Sequence, residues 1–284
     1  MKKNKKNNHA IKNIKAKILL FILDFIFIIA QILNIFIKIE KIKVNRYNKT
    51  FYVTGNLKYF LHWKNKSWEM NTHKIFDKFL DQNHSYIDVG AFIGATVLYG
   101  AHIAKKVYAL EPDPIAFKEL EKNVSLNPLL KEKIMLYNKC LYIKTEKVNF
   151  GSMTRGGDSV SSLRYADSKT SWIVDGITFD DFIKENKIND CNFIKIDIEG
   201  AEALVLPSMK NFLMKNKITL YLSMHPKFFN DPIEDTKKII GVLKIYKNIY
   251  LDNGKKIEIN DLISKEKLSK NYTLIATEEE YNQS

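Results

Sequence analysis

The chain has 284 residues, 45% of them hydrophobic, which is enough for one large domain with an extension or for two small domains. Its net charge of +13 is concentrated at one end, because residues 1–50 hold 12 Lys and Arg against only Asp24 and Glu40. This distribution argues against a nucleic-acid-binding face on the main domain, and no zinc-finger, helix-turn-helix or RNA-binding aromatic motif is present. Cys140 and Cys191 lie in apolar contexts typical of buried free thiols.

Residues 1–49 form a basic and apolar arm that predicts membrane contact. The apolar run from Ile18 to Ile37 has the length of a helix that crosses the hydrocarbon core of a bilayer. Polar residues at seven-residue spacing would form a narrow stripe on a helix lying in the membrane surface: Lys17, Asp24, Gln31 and Lys38. The apolar run could form a helix that spans the membrane, lies in its surface or packs against protein. A cleaved signal peptide is disfavoured, because no cleavage site follows the run. We therefore expect a membrane-associated protein whose main domain lies in the cytoplasm.

From about residue 70, short apolar runs alternate with helical patterns. Predicted strands cover residues 85–90, 106–110, 133–142, 172–176, 192–198 and 219–224. Predicted helices cover residues 73–80, 95–104, 114–127, 179–186 and 202–215. This alternation indicates one α/β domain over residues 85–284, with a mostly parallel sheet covered by helices on both faces and a lead-in at 50–84.

Two further stretches depart from the alternation. Residues 151–170 are rich in Gly and Ser and predict a long loop, which in compact domains is often functional. Asp252-Asn-Gly254 is a turn signal that predicts a C-terminal hairpin, which suggests one antiparallel strand at the sheet edge.

The first strand–turn–helix, Tyr86-Ile-Asp-Val-Gly-Ala-Phe-Ile-Gly94, predicts a cofactor site. Asp88 ends the strand, and Gly90 and Gly94 bracket three residues before the helix, where a backbone must turn tightly beside a ligand. The spacing differs from the Gly-x-Gly-x-x-Gly of dinucleotide sites. An acidic residue before the turn would repel a pyrophosphate, but it suits the ammonium group of an amino-acid-like ligand.

Glu111 ends the next strand, 21 residues after Gly90. A carboxylate at the tip of the second strand can accept hydrogen bonds from both hydroxyls of a ribose. Coupled to the turn after the first strand, this position predicts a ribose contact.

A third set of acidic residues follows the strand at 192–198. Asp197 ends this strand and Glu199 comes two residues later, so both should reach the carboxyl edge of the sheet, where ligands of open α/β folds lie. They could orient a substrate hydroxyl, accept its proton or hold a divalent cation. The alternative is a cluster that favours the N-terminus of the next helix, and Glu202 and Lys195 are expected to be structural.

Four motifs together resemble the FkbM family of methyltransferases that depend on S-adenosylmethionine (SAM). They are Asp88-Val-Gly-Ala-Phe-Ile-Gly94, Leu110-Glu-Pro-Asp-Pro114, Thr178-Phe-Asp-Asp-Phe-Ile183 and Phe193-Ile-Lys-Ile-Asp-Ile-Glu-Gly-Ala-Glu202. The resemblance covers about residues 68–225. It implies a Rossmann-like class I methyltransferase fold with a seven-stranded sheet.

The resemblance also implies roles for individual residues. Asp88, Gly90 and Gly94 would face the methionine part of SAM, and Glu111 would face its ribose. Three further positions of this sequence would lie near the cofactor: Glu69, Asn138 and Asp158.

His225 follows the apolar strand at 219–224 and should also reach the ligand edge. A neutral imidazole suits proton removal from a sugar hydroxyl, although a His before a Pro can equally be a structural turn. Many relatives have a Glu two positions earlier. This chain has Ser223 at that position, which puts an acidic role there in doubt.

We therefore expect a SAM-dependent methyltransferase of the EC 2.1.1 type, acting on a hydroxyl of a sugar, glycan or related small molecule. Asp197, Glu199 and His225 are its predicted catalytic residues, and no metal ligand set is predicted. The alternatives are a non-catalytic SAM-binding protein at the membrane and a nicotinamide-dependent oxidoreductase. The latter lacks its glycine-rich turn.

Overall fold

The computed structural model describes residues 39–55, 63, 68–154 and 156–281. The predicted membrane-associating run from Ile18 to Ile37 lies outside these residues. Among the described residues, no helix is both long and apolar enough to cross a bilayer. Membrane contact through residues 1–49 therefore stays a prediction.

The centre of the fold is a seven-stranded sheet. Its strands, in chain order, are β3 (Ser85–Val89), β4 (Lys106–Leu110), β5 (Ile134–Tyr137), β9 (Cys191–Ile196), β10 (Thr219–Met224), β11 (Asn248–Leu251) and β12 (Tyr272–Thr277). They are arranged in the order β11-β12-β10-β9-β3-β4-β5. The five strands from β10 to β5 run parallel, and β12 is antiparallel to both of its neighbours. The predicted mostly parallel sheet is confirmed.

Helices cover both faces of this sheet. They are α1 (Met70–Phe79), α2 (Ala95–Ala101), α3 (Pro114–Ser125), α4 (Pro128–Lys131), α5 (Phe179–Glu185), α6 (Glu202–Asn216), α7 (Pro232–Leu243) and α8 (Lys265–Leu268). Several begin at caps that the sequence encodes. Asp113, for example, accepts hydrogen bonds from the amides of Ile115 and Ala116 and precedes a Pro at the first position of α3.

Two apolar layers, one on each side of the seven-stranded sheet, make up most of the core. Alternate residues of a strand point to opposite faces. On β3, Tyr86 packs in one layer and Ile87 in the other; on β9, Phe193 and Ile194 divide in the same way. β3 is buried along its whole length and lies between β9 and β4. The chain that follows β3 therefore emerges from the middle of the sheet, at its carboxyl edge.

The segment predicted as one strand at 133–142 divides into two. After β5, Asn138 donates hydrogen bonds to the carbonyl oxygens of Glu111 and Pro112, and the chain leaves the main sheet. The next strands form a separate three-stranded sheet in the order β6-β8-β7: β6 (Lys139–Leu141), β7 (Lys147–Ser152) and β8 (Thr170–Ile177). The predicted loop is correspondingly shorter, because its first residues belong to β7 and its last to β8.

An N-terminal hairpin packs on α3. Its strands, β1 (Ile39–Arg46) and β2 (Lys49–Gly55), are antiparallel. The backbone amides of Tyr52 and Thr54 donate to the side-chain oxygens of Asn127 and Asn123 at 2.8 and 2.7 Å. The boundary predicted between residues 49 and 50 falls inside this hairpin, so residues 39–49 pack with the main domain.

The C-terminal strands differ from the predicted pairing. Asp252-Asn-Gly254 does form a turn, and Tyr250 bridges to Lys256, but β12 supplies the strand that pairs with β11. Because β12 inserts between β10 and β11, the antiparallel strand is interior instead of at the edge. Antiparallel C-terminal strands are confirmed, but the predicted antiparallel edge strand is wrong, because the edge strand β11 runs in the same direction as β10.

Candidate active site at the carboxyl edge of the sheet

A cavity of about 230 Å³ opens where β3, β4 and β9 end. This volume lies just below the range of roughly 300–1,000 Å³ that is typical of small-molecule pockets. Its acidic and basic lining residues are five acids and two lysines: Glu69, Glu111, Asp158, Asp197, Glu199, Lys139 and Lys195. The excess of carboxylates favours a cationic ligand and disfavours a pyrophosphate.

The turn after β3 forms one wall of the cavity and contacts the end of β9. Gly90 has a φ of +87°, and a Cβ atom at this position would lie 1.9 Å from the carbonyl oxygen of Asp197. Gly94 has a φ of +94° and begins α2, where a Cβ atom would lie 2.6 Å from Leu120 Cδ1. Gly90 lines the cavity and Gly94 does not. Both glycines are explained by close packing in the protein itself.

Asp88 lies behind the cavity wall. Its side chain is fully buried, and its Oδ2 accepts hydrogen bonds from the hydroxyls of Tyr86 and Thr96 at 2.5 and 2.6 Å. Its Oδ1 lies 3.2 Å from Lys195 Nζ. The carboxylate of Asp88 is thus directed into the protein. Its predicted contact with the cofactor stays a prediction.

Lys195 lines the cavity, although it was expected to be structural. Its ammonium group also lies 3.2 Å from the carbonyl oxygen of Gly90 and 3.6 Å from Asp197 Oδ2. Burial lowers the pKa of Lys195, but Asp88 and Asp197 outweigh burial and hold that pKa well above its ordinary value. A sequence signal for this site does exist, since a lysine inside a strand buried on both faces must have carboxylate partners.

Glu111 lies at the tip of β4, as predicted, and lines the cavity. Its Oε2 accepts a hydrogen bond from the amide of Phe92 at 2.7 Å, and its Oε1 accepts one from the amide of Asp113 at 2.8 Å. Burial raises the pKa of Glu111 to about 8, although these two amides act in the opposite direction. Asn138 holds the backbone behind Glu111 and does not line the cavity.

Glu69, which precedes the first strand of the main sheet in the chain, lines the same cavity. It precedes α1 in the left-handed conformation, with a φ of +59°. Its Oε2 accepts a hydrogen bond from Thr72 Oγ1 at 2.6 Å, and this hydroxyl also contacts the Tyr221 hydroxyl at 2.8 Å. Burial raises the pKa of Glu69. Glu69 thus lines the cavity, and its contact with a cofactor stays a prediction.

The Gly-Ser loop closes the cavity over the turn. Asp158 lines the cavity, and the Ser152 hydroxyl donates to its Oδ2 at 2.7 Å. Asp113, which the sequence analysis did not single out, ties the loop down, because its Oδ2 accepts from the Gly157 amide and the Ser161 hydroxyl at 2.7 Å each. The N-cap of α3 thus also anchors the loop.

Asp197, Glu199 and His225 come together at the end of β9. His225 Nε2 lies 3.6 Å from Asp197 Oδ1 and 3.5 Å from Glu199 Oε2. On the other side of the ring, Nδ1 lies 2.8 Å from Glu202 Oε1. Asp197 and Glu199 line the cavity, whereas His225 and the buried Glu202 lie behind them.

The surroundings of His225 do not favour the neutral imidazole that was expected. Burial lowers the pKa of His225, but Glu202, Asp197 and Glu199 outweigh burial and raise it to about 9. Burial raises the pKa of Glu199 to about 7. Without a bound cation, the three carboxylates thus favour the protonated form of His225.

The fold and the position of the cavity define the class of protein. Five parallel strands, an antiparallel strand inserted next to the edge and a cavity at the carboxyl ends of the central strands make up a Rossmann-like class I methyltransferase fold. The model of the methyltransferase FkbM domain matches residues 88–250. The match spans more than half of the chain, which therefore belongs to the FkbM methyltransferase family. The resemblance found in the motifs is confirmed.

Solved structures of similar fold come from several organisms. A Methylobacillus flagellatus FkbM methyltransferase is 17% identical with a TM-score of 0.45, and the match covers 73% of this chain and 51% of that one. This chain thus spans about half the length of that protein. A Streptococcus mutans protein described as a candidate methyltransferase, solved in complex with SAH, is 12% identical with a TM-score of 0.42, covering 72% and 95%. No curated protein matches the sequence.

Proposed function

We propose that this protein is a SAM-dependent methyltransferase that methylates a hydroxyl group of a sugar, glycan or related small molecule. The observation that carries the proposal is the acidic cavity at the carboxyl ends of β3, β4 and β9. Family membership supports the reaction class, and the charge of the cavity supports the cofactor.

The cavity suits SAM better than a dinucleotide. SAM carries a sulfonium and an ammonium group, and its ribose has two hydroxyls. Acidic side chains outnumber lysines by five to two around the cavity, which favours these cations over a pyrophosphate. Both oxygens of Glu111 are held by backbone amides at the tip of β4, and the carboxylate can accept hydrogen bonds from the ribose hydroxyls. A nicotinamide-dependent oxidoreductase is disfavoured for the same reasons.

The other predicted cofactor residues would act in two ways. Gly90, Glu69 and Asp158 line the cavity and would contact the cofactor directly. Three residues behind the lining would hold those contacts in place: Asp88 through Lys195, Gly94 through the start of α2, and Asn138 through the backbone of Glu111.

Asp197 and Glu199 would form the acceptor end of the cavity. SAM supplies an electrophilic methyl group, which passes to the acceptor oxygen as SAH and the hydroxyl proton are released. The two carboxylates are exposed to the cavity and can accept hydrogen bonds from acceptor hydroxyls, which holds the oxygen in line for transfer. Carboxylates that bind hydroxyl pairs support a sugar-like acceptor, and the basic, apolar arm at residues 1–49 supports one attached to a lipid.

Transfer of labelled methyl groups from SAM to a panel of sugars and glycans tests this function. We expect Asp197→Asn to lower transfer at least about tenfold, because a charged hydrogen bond to the acceptor is lost. Asp190→Asn is the matched control, since Asp190 precedes the same strand but pairs with Lys105 at the opposite edge of the sheet.

The control should leave transfer unchanged. SAM binding without transfer to any hydroxyl-bearing acceptor would favour the alternative, a non-catalytic SAM-binding protein. Equal activity of the Asp197 variant and the wild type would contradict the role given to Asp197.

A further inference from the structure

We propose that Asp197, Glu199 and His225 form a binding site for one divalent transition-metal cation at the acceptor end of the cavity. Binding of the cation follows from the geometry of these side chains alone. Only its contribution to catalysis rests on the proposed methyl transfer.

The spacing of the three side chains fits a shared cation better than it fits mutual hydrogen bonds. His225 Nε2 lies 3.5 and 3.6 Å from the nearest oxygens of Glu199 and Asp197, and all three ligand atoms lie within 4.8 Å of one another. Ligands at about 2.1 Å from a tetrahedral cation are separated by about 3.4 Å. A cation between these atoms therefore needs only small side-chain shifts.

His225 directs its Nε2 at the two carboxylates. Its side chain is only 8% exposed, and its Nε2 makes no hydrogen bond with any residue in the described part of the chain. Its Nδ1 is held at 2.8 Å by Glu202, which is itself fixed by the amides of Ile198 and Gly200. Histidines that bind metals are commonly oriented by a carboxylate on the other ring nitrogen.

The charges around the cluster are also those of a cation site. Three carboxylates, from Asp197, Glu199 and Glu202, surround the imidazole, and Lys195 is the lysine that pairs with one of them. Asp197 presents Oδ2 to Lys195 and Oδ1 to His225, so one of its oxygens remains directed at the proposed site. A divalent cation would offset the remaining negative charge.

The ligand set indicates which cation would bind. One imidazole with two carboxylates suits Mn²⁺, Fe²⁺ or Zn²⁺, whereas Ca²⁺ prefers six to eight oxygen ligands. Three protein ligands leave at least one coordination position open, and Asp197 and Glu199 face the cavity. An acceptor hydroxyl in the open position would be positioned and made more acidic, which promotes its attack on a methyl group.

Titration of the full-length, EDTA-treated protein with Mn²⁺, followed by electron paramagnetic resonance, tests the site. We expect one bound Mn²⁺ per chain, released by Zn²⁺ and not by an equal concentration of Ca²⁺. Asp197→Asn and Glu199→Gln should each weaken Mn²⁺ binding at least about tenfold, and Glu202→Gln should do so through the orientation of the ring, by about 10- to 100-fold.

His84→Gln is the matched control, because His84 also faces a carboxylate, that of Asp81, on the protein surface. It should bind Mn²⁺ like the wild type, and thermal unfolding of each variant reports whether it is folded. Wild-type protein that binds no Mn²⁺, an Asp197→Asn/Glu199→Gln double variant that binds it normally, or release by Ca²⁺ as readily as by Zn²⁺ would overturn the proposal. SAM calorimetry on the same samples separates this failure from a failure of the proposed function.

Discussion

Replacing Lys195 by Met is expected to lower the free energy of unfolding by about 3–5 kcal/mol, the usual cost of removing one partner of a buried ion pair. The side chains of Lys195 and Asp88 are 4% and 0% exposed. Without the ammonium group, the Asp88 carboxylate would keep the hydroxyls of Tyr86 and Thr96 but would lose its counter-charge in a place that water does not reach. Equilibrium unfolding in urea measures the loss.

The same experiment has an internal test and a control. Adding Asp88→Asn to Lys195→Met removes the uncompensated charge, so the double variant should be less unstable than the two single changes predict, by about 1–3 kcal/mol. Lys105→Met is the matched control, because the Lys105–Asp190 pair is partly exposed and screened by water. If Lys195→Met were no more destabilising than Lys105→Met, the buried pair would not have the structural role given to it here.

SAM affinity is expected to rise about tenfold between pH 7 and pH 8.5, because Glu111 must be ionised to accept two ribose hydroxyls. Burial raises the pKa of Glu111 to about 8, so the free protein holds its proton at pH 7. Binding to the ionised form lowers that pKa, and a proton is therefore released when SAM binds below pH 8. Calorimetry at pH 7 in two buffers of different ionisation enthalpy measures the release.

Glu111→Gln should abolish this proton release and weaken SAM binding by about 10- to 100-fold, the range for loss of a charged hydrogen bond. Glu121→Gln is the control, since Glu121 is exposed on the following helix. Proton release that persists in the Glu111 variant would assign the linkage to another group.

Local patterns in the sequence were sufficient for the central part of the fold. The strand from Ser85 and the turn to Gly94 could be predicted because a buried apolar run, an acidic end and two glycines all indicate the same strand–turn–helix. The strand at 219–224 was predicted with the bounds that the structure shows. The three-stranded sheet could not be predicted, because the parallel pairing of β6 with β8 joins segments about 35 residues apart.

The sequence predicted which edge of the sheet holds the candidate site, but it did not predict the contacts that the side chains make there. Residues at the carboxyl ends of strands could be assigned to the cavity, as Glu111 and Asp197 show. Whether such a residue faces the cavity or the protein depends on neighbours from other strands. Asp88 points inward because Lys195, on the adjacent strand, provides its counter-charge. The charge of His225 likewise depends on Glu202, which reaches it from the start of α6.

Calorimetry of the full-length protein with SAM, SAH and NAD⁺ in parallel tests the central claim most directly. We expect SAM and SAH to bind in the acidic cavity at one site per chain, with binding weakened by Glu111→Gln, and NAD⁺ to give no binding at the same concentration. Binding of NAD⁺ with no binding of SAM or SAH would contradict the assignment of this cavity to a methyltransferase.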